Sequence, residues 1–140
     1  MECKKMDHSK SEYVDLKVIC PDDCGNAPKK AYLKEFSIAF AHNDLAFLSE
    51  NITDDFHWNI IGQHQIQGKE KVIEILKQNQ NNKVTELQIN TIITHGYHGS
   101  VNGTQIVENK KKFAFCNVYQ FASSRNNSKI KEMTSYLIEL

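Results

Sequence analysis

The sequence predicts a single α+β domain in which three N-terminal helices cover one end of a curved, mostly antiparallel sheet. Two features carry this expectation. Apolar residues recur at three- and four-residue spacing in the first half of the chain and at two-residue spacing in the second, so helical faces precede strand faces. The chain is also the size of one core: 140 residues, 40% apolar and 24% charged, with six glycines and two prolines. That is ordinary globular composition in a one-domain length. Such a chain buries about 70% of its unfolded surface and needs no disulfide or metal staple.

Residues 1–25 are polar, carry no evident periodicity and end in Cys20-Pro21-Asp22-Asp23-Cys24-Gly25. They read as an extended, partly disordered arm laid over the domain and dispensable for its folding. The domain itself spans 26–140. Asn26 is a good N-cap and Pro28 suits the first turn behind it. Tyr32, Leu33, Phe36, Ala39 and Phe40 then form one helical face. Asp44 can cap a second, short helix carrying Leu45, Phe47 and Leu48.

A strand over 56–61, closed by Gly62, puts Phe56, Trp58 and Ile60 on one face. Gly68 precedes a third helix from Lys69 to about Gln80, whose inner stripe is Val72, Ile73, Leu76 and the stem of Lys77. Strands follow one another from there. Leu87, Ile89, Ile93 and His95 alternate along one face of 84–95, and residues 95–99 turn the chain into a strand through Val101 and Val107. Gly103 marks an irregularity within it. The last two strands, 112–122 and 129–140, flank a polar loop. The run Phe113–Phe121 is apolar on both faces and so must be covered on both. A cavity beneath the helices is one cover, and a second copy of the chain is expected as the other. Helices at one end of such a sheet close a cone around a single deep cavity.

Charge narrows the function. Seventeen basic and seventeen acidic residues cancel, whereas nucleic-acid binders usually carry a basic excess. Lys110-Lys111-Lys112 reads as a solvated turn. No run approaches the ~20 apolar residues of a membrane span, and no apolar stretch at the N-terminus reads as a signal peptide. No nucleic-acid or membrane partner is therefore expected, and the default location is cytoplasmic. Cys3, Cys20, Cys24 and Cys116 are expected as free thiols, since no second Cys/His pair follows Cys20 and Cys24 at zinc-site spacing. Phosphate-loop, dinucleotide, zincin and nucleophile-elbow motifs are lacking, so neither metal nor cofactor is expected.

The order of several loose motifs carries a resemblance. Asn43-Asp44-Leu45, then Asp54-Asp55, the strand ending in Gly62 and Gly68-Lys69-Glu70 resemble the front half of SnoaL-like domains of the nuclear transport factor 2-like superfamily. Phe113 to Phe121, Lys129-Ile130 and Ser135-Tyr136-Leu137-Ile138 resemble their closing hairpin, and the likeness covers residues 29–140. The arm from Cys20 to Lys30 and the run Phe115-Cys116-Asn117-Val118-Tyr119 resemble a bacterial subgroup of these domains. The resemblance implies a cystatin-like cone, or half-barrel. The family includes ketosteroid isomerase, polyketide cyclases, epoxide hydrolases and non-catalytic binding modules, so it leaves function to the site. The isomerase pattern needs a tyrosine and a strand aspartate. Those positions fall here on Phe36 and on Ile60, or Asn59 with a gap, and none of the three side chains can serve.

Phe36, Phe40, Trp58 and Ile60 are then candidates for an apolar pocket wall or for core. Asn117 and Tyr119 share a face with Phe113, Phe115 and Phe121, while Cys116 and Val118 share the other, and either face could line the cavity. Tyr136 is a candidate pocket hydroxyl. His57 and Asn59 fall opposite Trp58. His95 ends an apolar strand face, which makes it either a rim residue or an acid–base candidate at the cavity mouth. Three functions compete: binding a flat hydrophobic ligand, cofactor-independent lyase, isomerase or hydrolase chemistry, and a structural dimerisation module. A homodimer through the outer sheet face is expected, because large exposed apolar patches are rare on monomers.

Overall fold

A computed structural model of the chain describes residues 15–21, 27–79 and 83–140. Three helices pack on a curled, seven-stranded, mostly antiparallel sheet, the expected α+β cone. In chain order the elements are β1 (Lys17–Ile19), α1 (Pro28–His42), α2 (Leu45–Asn51), β2 (Ile52–Ile60), β3 (His64–Gln67), α3 (Lys69–Gln78), β4 (Val84–His95), β5 (His98–Val107), β6 (Lys112–Phe121) and β7 (Ile130–Glu139). The sheet order is β1-β4-β5-β6-β7-β2-β3, with β1/β4 and β2/β7 parallel.

The helix signals act close to where the sequence puts them. Pro28 opens α1, but the cap position is Ala27, which makes no side-chain cap bond; Asn26 lies outside the described residues. Asp44 caps α2 by accepting from the Phe47 amide at 3.2 Å. Asn43 ends α1 in the left-handed region (φ 66°), where asparagine is tolerated. Its side chain donates to the Leu76 carbonyl at 2.9 Å and so ties the α1–α2 turn to α3. In α3, Val72 and Leu76 are buried and Ile73 half-buried, but Lys77 is exposed and its stem forms no part of the inner stripe. At the start of α1, the buried Lys29 ammonium donates to the carbonyls of Gly96 (2.6 Å) and Ser124 (3.1 Å), 4.6 Å from the Phe121 ring centroid. This one side chain fastens the helix to the β4–β5 turn and the β6–β7 loop.

Four expectations need correction. First, the arm is not free of strand: Leu16, Val18 and Cys20 are buried in the main core while β1 pairs with β4 at Glu86–Gln88. A five-residue alternation ringed by polar sequence carries little local signal, and the strand exists through its long-range partner. Second, Cys20 is disulfide-bonded rather than a free thiol, with its partner outside the described residues; Cys116 is free. Third, His64–Gln67 forms β3 against β2, although only Ile66 of its four residues is apolar and buried.

The fourth correction reaches the site. The ladder between β4 and β5 shifts by one residue between Ile89 and Thr91. A bulge reverses which alternate side chains face inward. Leu87, Ile89 and Ile92 are therefore buried, while Ile93 is 57% exposed and His95 is exposed. Gly103 sits opposite the irregularity, and a Cβ there would run into the Gln88 carbonyl oxygen. Only glycine allows the two backbones so close.

Candidate ligand-binding cavity

The inner face of the sheet is set by register. Phe115 pairs with Leu137, Asn117 with Ser135 and Tyr119 with Met133 across β6–β7, while Trp58 and Ile60 pair with Met133 and Ser135 across β2–β7. The face carrying Phe115, Asn117 and Tyr119 is thus the inner one, and Cys116 and Val118 point the other way. α1 lies across this face and contributes Ser37, Phe40 and Ala41, which share one helical face by their spacing.

Between helix and sheet is a cavity of about 120 Å³. Phe40, Ala41, Trp58, Ile60, Leu87, Phe115 and Leu137 form its apolar wall, and Ser37, Gln105, Asn117 and Ser135 are its polar lining residues. Tyr136 and Leu137 are each 45% exposed and form the rim. The aromatic wall is braced from behind. Phe40 meets Trp58 edge-on at 5.3 Å and stacks with Phe36 at 6.5 Å, and Phe36 meets Tyr119 edge-on at 5.8 Å. Such pairs favour offset and edge-to-face geometry because the ring quadrupoles attract.

Two polar threads run through this packing. Trp58 Nε1 donates to Ser135 Oγ at 2.9 Å. Ser37 Oγ donates to the Leu33 carbonyl at 2.8 Å, and the side chains of Ser37 and Asn117 neighbour the Tyr119 hydroxyl. Burial pushes the Tyr119 hydroxyl up to about 12; the neighbouring Ser37 and Asn117 side chains oppose the rise and the nearby Cys116 thiol adds to it. At neutral pH Tyr119 is therefore a neutral phenol, a donor rather than an anion.

Of the residues singled out from sequence, Phe40, Trp58, Ile60, Asn117 and Tyr136 line the cavity, while Phe36 and Tyr119 form the layer beneath it. Where an isomerase-type base would stand, Ile60 presents an aliphatic wall. Asn59 lies on the opposite face. His95 is outside the lining, on the exposed end of β4. His57 also faces outward, its ring held between Glu132 (3.2 Å) and Gln65 (3.1 Å). Among the described residues no three His, Cys, Asp or Glu side chains gather as a metal site.

Sequence reasoning missed Ser37, Ala41, Leu87, Gln105, Phe115, Ser135 and Leu137 as lining residues. Ser37 had a signal, since it falls on the period of the α1 apolar face already recognised. Gln105 had none, because its inward position follows only from its register with Leu87 and Phe113.

The helix-capped, curled sheet with a cavity inside it defines the class: the chain has the nuclear transport factor 2-like cone fold. No family model and no curated protein matches the chain. Among solved structures it resembles an NTF2-like protein from Cytophaga hutchinsonii, at 23% identity and TM-score 0.58, over 75% of this chain and 95% of that one. It also resembles an LEH-like epoxide hydrolase from M. tuberculosis, at 19% identity and TM-score 0.65, over 79% and 82% of the two chains. A candidate SnoaL-like polyketide cyclase from Shewanella denitrificans matches at 12% identity and TM-score 0.64, over 78% and 89%. At these identities the likeness is one of fold, and function has to be argued from the cavity.

Proposed function

We propose that this domain binds a compact, uncharged, largely apolar small molecule in the cavity and holds it without acid–base chemistry. The lining carries the reading. It combines an aromatic and aliphatic wall with a few neutral polar groups, the usual make-up of a small-molecule site. Among the described lining residues Tyr136 alone is ionisable, so no carboxylate or imidazole stands ready to move a proton near neutral pH. This favours binding over lyase, isomerase or hydrolase chemistry. The cavity also has open volume, which disfavours a purely structural dimerisation module with its interior filled.

Size narrows the ligand. Sites for drug-sized molecules run to about 300–1,000 Å³, whereas a cavity of roughly 150 Å³ holds benzene. At about 120 Å³, the cavity is nearest in size to a single ring and too small for a fused polyketide. Trp58 is the sole tryptophan and lines the cavity, so its emission reports occupancy directly. Neutral one-ring aromatics should change it saturably. No saturable response to any of them, up to their solubility limits, would sink the reading.

The expected homodimer has support on the outer face, where Ile93, Val118, Tyr136 and Ile138 are exposed at 57, 38, 45 and 64%. Val118, Tyr136 and Ile138 sit at alternating positions of the paired strands β6 and β7 and form one patch. A second copy covering that patch would account for the two-sided apolarity of Phe113–Phe121. Among the described residues no helix is long and apolar enough to cross a membrane. The cytoplasmic location rests on composition, and the disulfide at Cys20 weighs against it, since such bonds persist in oxidising compartments.

A further inference from the structure

We propose that the C-terminal half of β7 is an open sheet edge through which two copies of this chain join. Tyr136–Leu140 of one copy runs antiparallel to the same residues of the other. The contact does not depend on what fills the cavity. It is also distinct from the second copy expected over the outer face, whose patch reaches Val118 on the neighbouring strand.

Strand register exposes the edge. β7 pairs with β6 along its length, but its parallel partner β2 follows it only as far as Ile60 opposite Ser135. There the Ile61 amide donates to the Ser135 carbonyl at 3.0 Å, and the chain turns away as the Gln63 amide donates to the Ile60 carbonyl. Successive residues of a strand aim their backbone groups to opposite sides. The Leu140 amide donates to the Lys112 carbonyl of β6 at 2.9 Å, so Tyr136 and Ile138 face β6 as well. Ser135, Leu137 and Glu139 face the side that β2 has left. Among the described residues no backbone partner meets the N–H or C=O of Leu137 or Glu139.

The side chains point the same way. Tyr136, Leu137, Ile138 and Leu140 are all exposed, Ile138 at 64%. An exposed apolar edge invites pairing with another strand, and proteins usually blunt such edges by keeping them short or charged. The end strands of this sheet follow that rule: β1 has 3 residues, and β3 has 4, of which only Ile66 is apolar. The free half of β7 carries Glu139 as its sole charge.

This edge matches itself. Setting Leu137 opposite Glu139 of the other copy, and Glu139 opposite its Leu137, uses every free amide and carbonyl on both strands. Ile138 then meets its own counterpart on the twofold axis. The neighbouring registers fail. Leu137 against Leu137 would bring Glu139 to Ser135, whose carbonyl is taken by Ile61. Glu139 against Glu139 would oppose like charges. The favoured register leaves each Glu139 beside a leucine and free to hold its Lys111 contact, at 3.7 Å. Such a strip buries far less than the ~1,200–2,000 Å² of a stable interface, so the contact is weak and reversible. Because Leu137 also forms the cavity rim, the joined strand stands beside the mouth.

Cysteine cross-linking tests this, since a covalent trap captures a weak contact. In the full chain carrying Cys116→Ala, Ile138→Cys sets two thiols in a non-hydrogen-bonded pair. Their Cα atoms are then about 4.5 Å apart, within the span of a disulfide. Tyr136→Cys leaves its two thiols about four residues out of register, too far to join. Oxidation with diamide should therefore link Ile138→Cys about tenfold faster than Tyr136→Cys. Adding Glu139→Pro removes a donor from each edge and none from the β6 ladder. It should slow the linking by about tenfold, as expected for one hydrogen bond lost on each side. Equal linking of the two cysteine variants overturns the proposal, and so does the absence of an Ile138→Cys dimer across a concentration series. Linking that Glu139→Pro leaves unchanged places the contact on the outer face instead. If circular dichroism shows Glu139→Pro unfolded, the ratio of Ile138→Cys to Tyr136→Cys decides alone.

Discussion

The two faces of the β6–β7 hairpin are made from alternate residues of the same strands, yet they do different work. The inner face carries Phe115, Asn117, Tyr119, Met133 and Ser135, where the polar groups are neutral and Ser135 accepts from the Trp58 indole. The outer face carries Cys116, Val118, Glu132, Tyr136 and Ile138, where a histidine–carboxylate contact adjoins exposed apolar side chains. Burial explains the difference. A charge under α1 would have to be desolvated with little to offset it, whereas at the outer surface water or a second subunit can solvate His57 and Glu132. Register therefore sorts residues by chemistry as well as by side.

The largest effect expected from breaking this contrast is on the inner face. Phe36 is 1% exposed and braces both Phe40 and Tyr119. Phe36→Ala should lower stability by about 3–5 kcal/mol in urea denaturation, the usual loss when a buried aromatic is truncated. Next is the edge that closes the core. A chain starting at Ala27 loses Leu16, Val18 and Cys20 from the buried cluster and should be less stable by roughly 2–4 kcal/mol. A melt within a degree or two of the full chain would show that the arm is as dispensable as its composition suggests.

Tyr119 gives the contrast a pH signature. Its hydroxyl titrates near 10 when unfolded and is pushed up to about 12 by burial, so the folded state favours the protonated form. That stability is fully present below pH 10 and is lost as pH rises through about 12, a decline of roughly 2–3 kcal/mol. Tyr32, raised to about 12 by burial as well, adds in the same direction. Denaturation measured from pH 9 to 12 should show the fall, and Tyr119→Phe should reduce its slope; an unchanged slope would mean that another group governs it. The smallest effect on stability belongs to the outer face. Val118→Lys should leave the melt within about 0.5 kcal/mol, as exposed substitutions do, while shifting sedimentation equilibrium from dimer to monomer. A wild-type chain that is already monomeric at micromolar concentration would remove the dimer.

Much of this was legible in the sequence, and the reasons are local. The α1 face, the Asp44 cap and the α3 stripe follow from short-range spacing, and Trp58, Ile60 and Asn117 reach the cavity because strand parity holds along β2 and β6. Parity failed in β4. One extra residue near Asn90 moved Ile92 inward and carried Ile93 and His95 outward, and nothing in that stretch announced it except Gly103, on the partner strand. Likewise β1 and β3 are too short and too polar to be seen without the strands they pair with.

The sequence by itself determined the class of fold, the order of its elements and the aromatic character of the interior, because each is written in spacing between near neighbours. The tertiary structure decided which face of β6 looks inward, how small the cavity is, that Cys20 is bonded, and that Asn117 and Ser135 stand together in the cavity wall. Those features depend on register and contacts between strands far apart in the chain, and a linear string of residues carries neither.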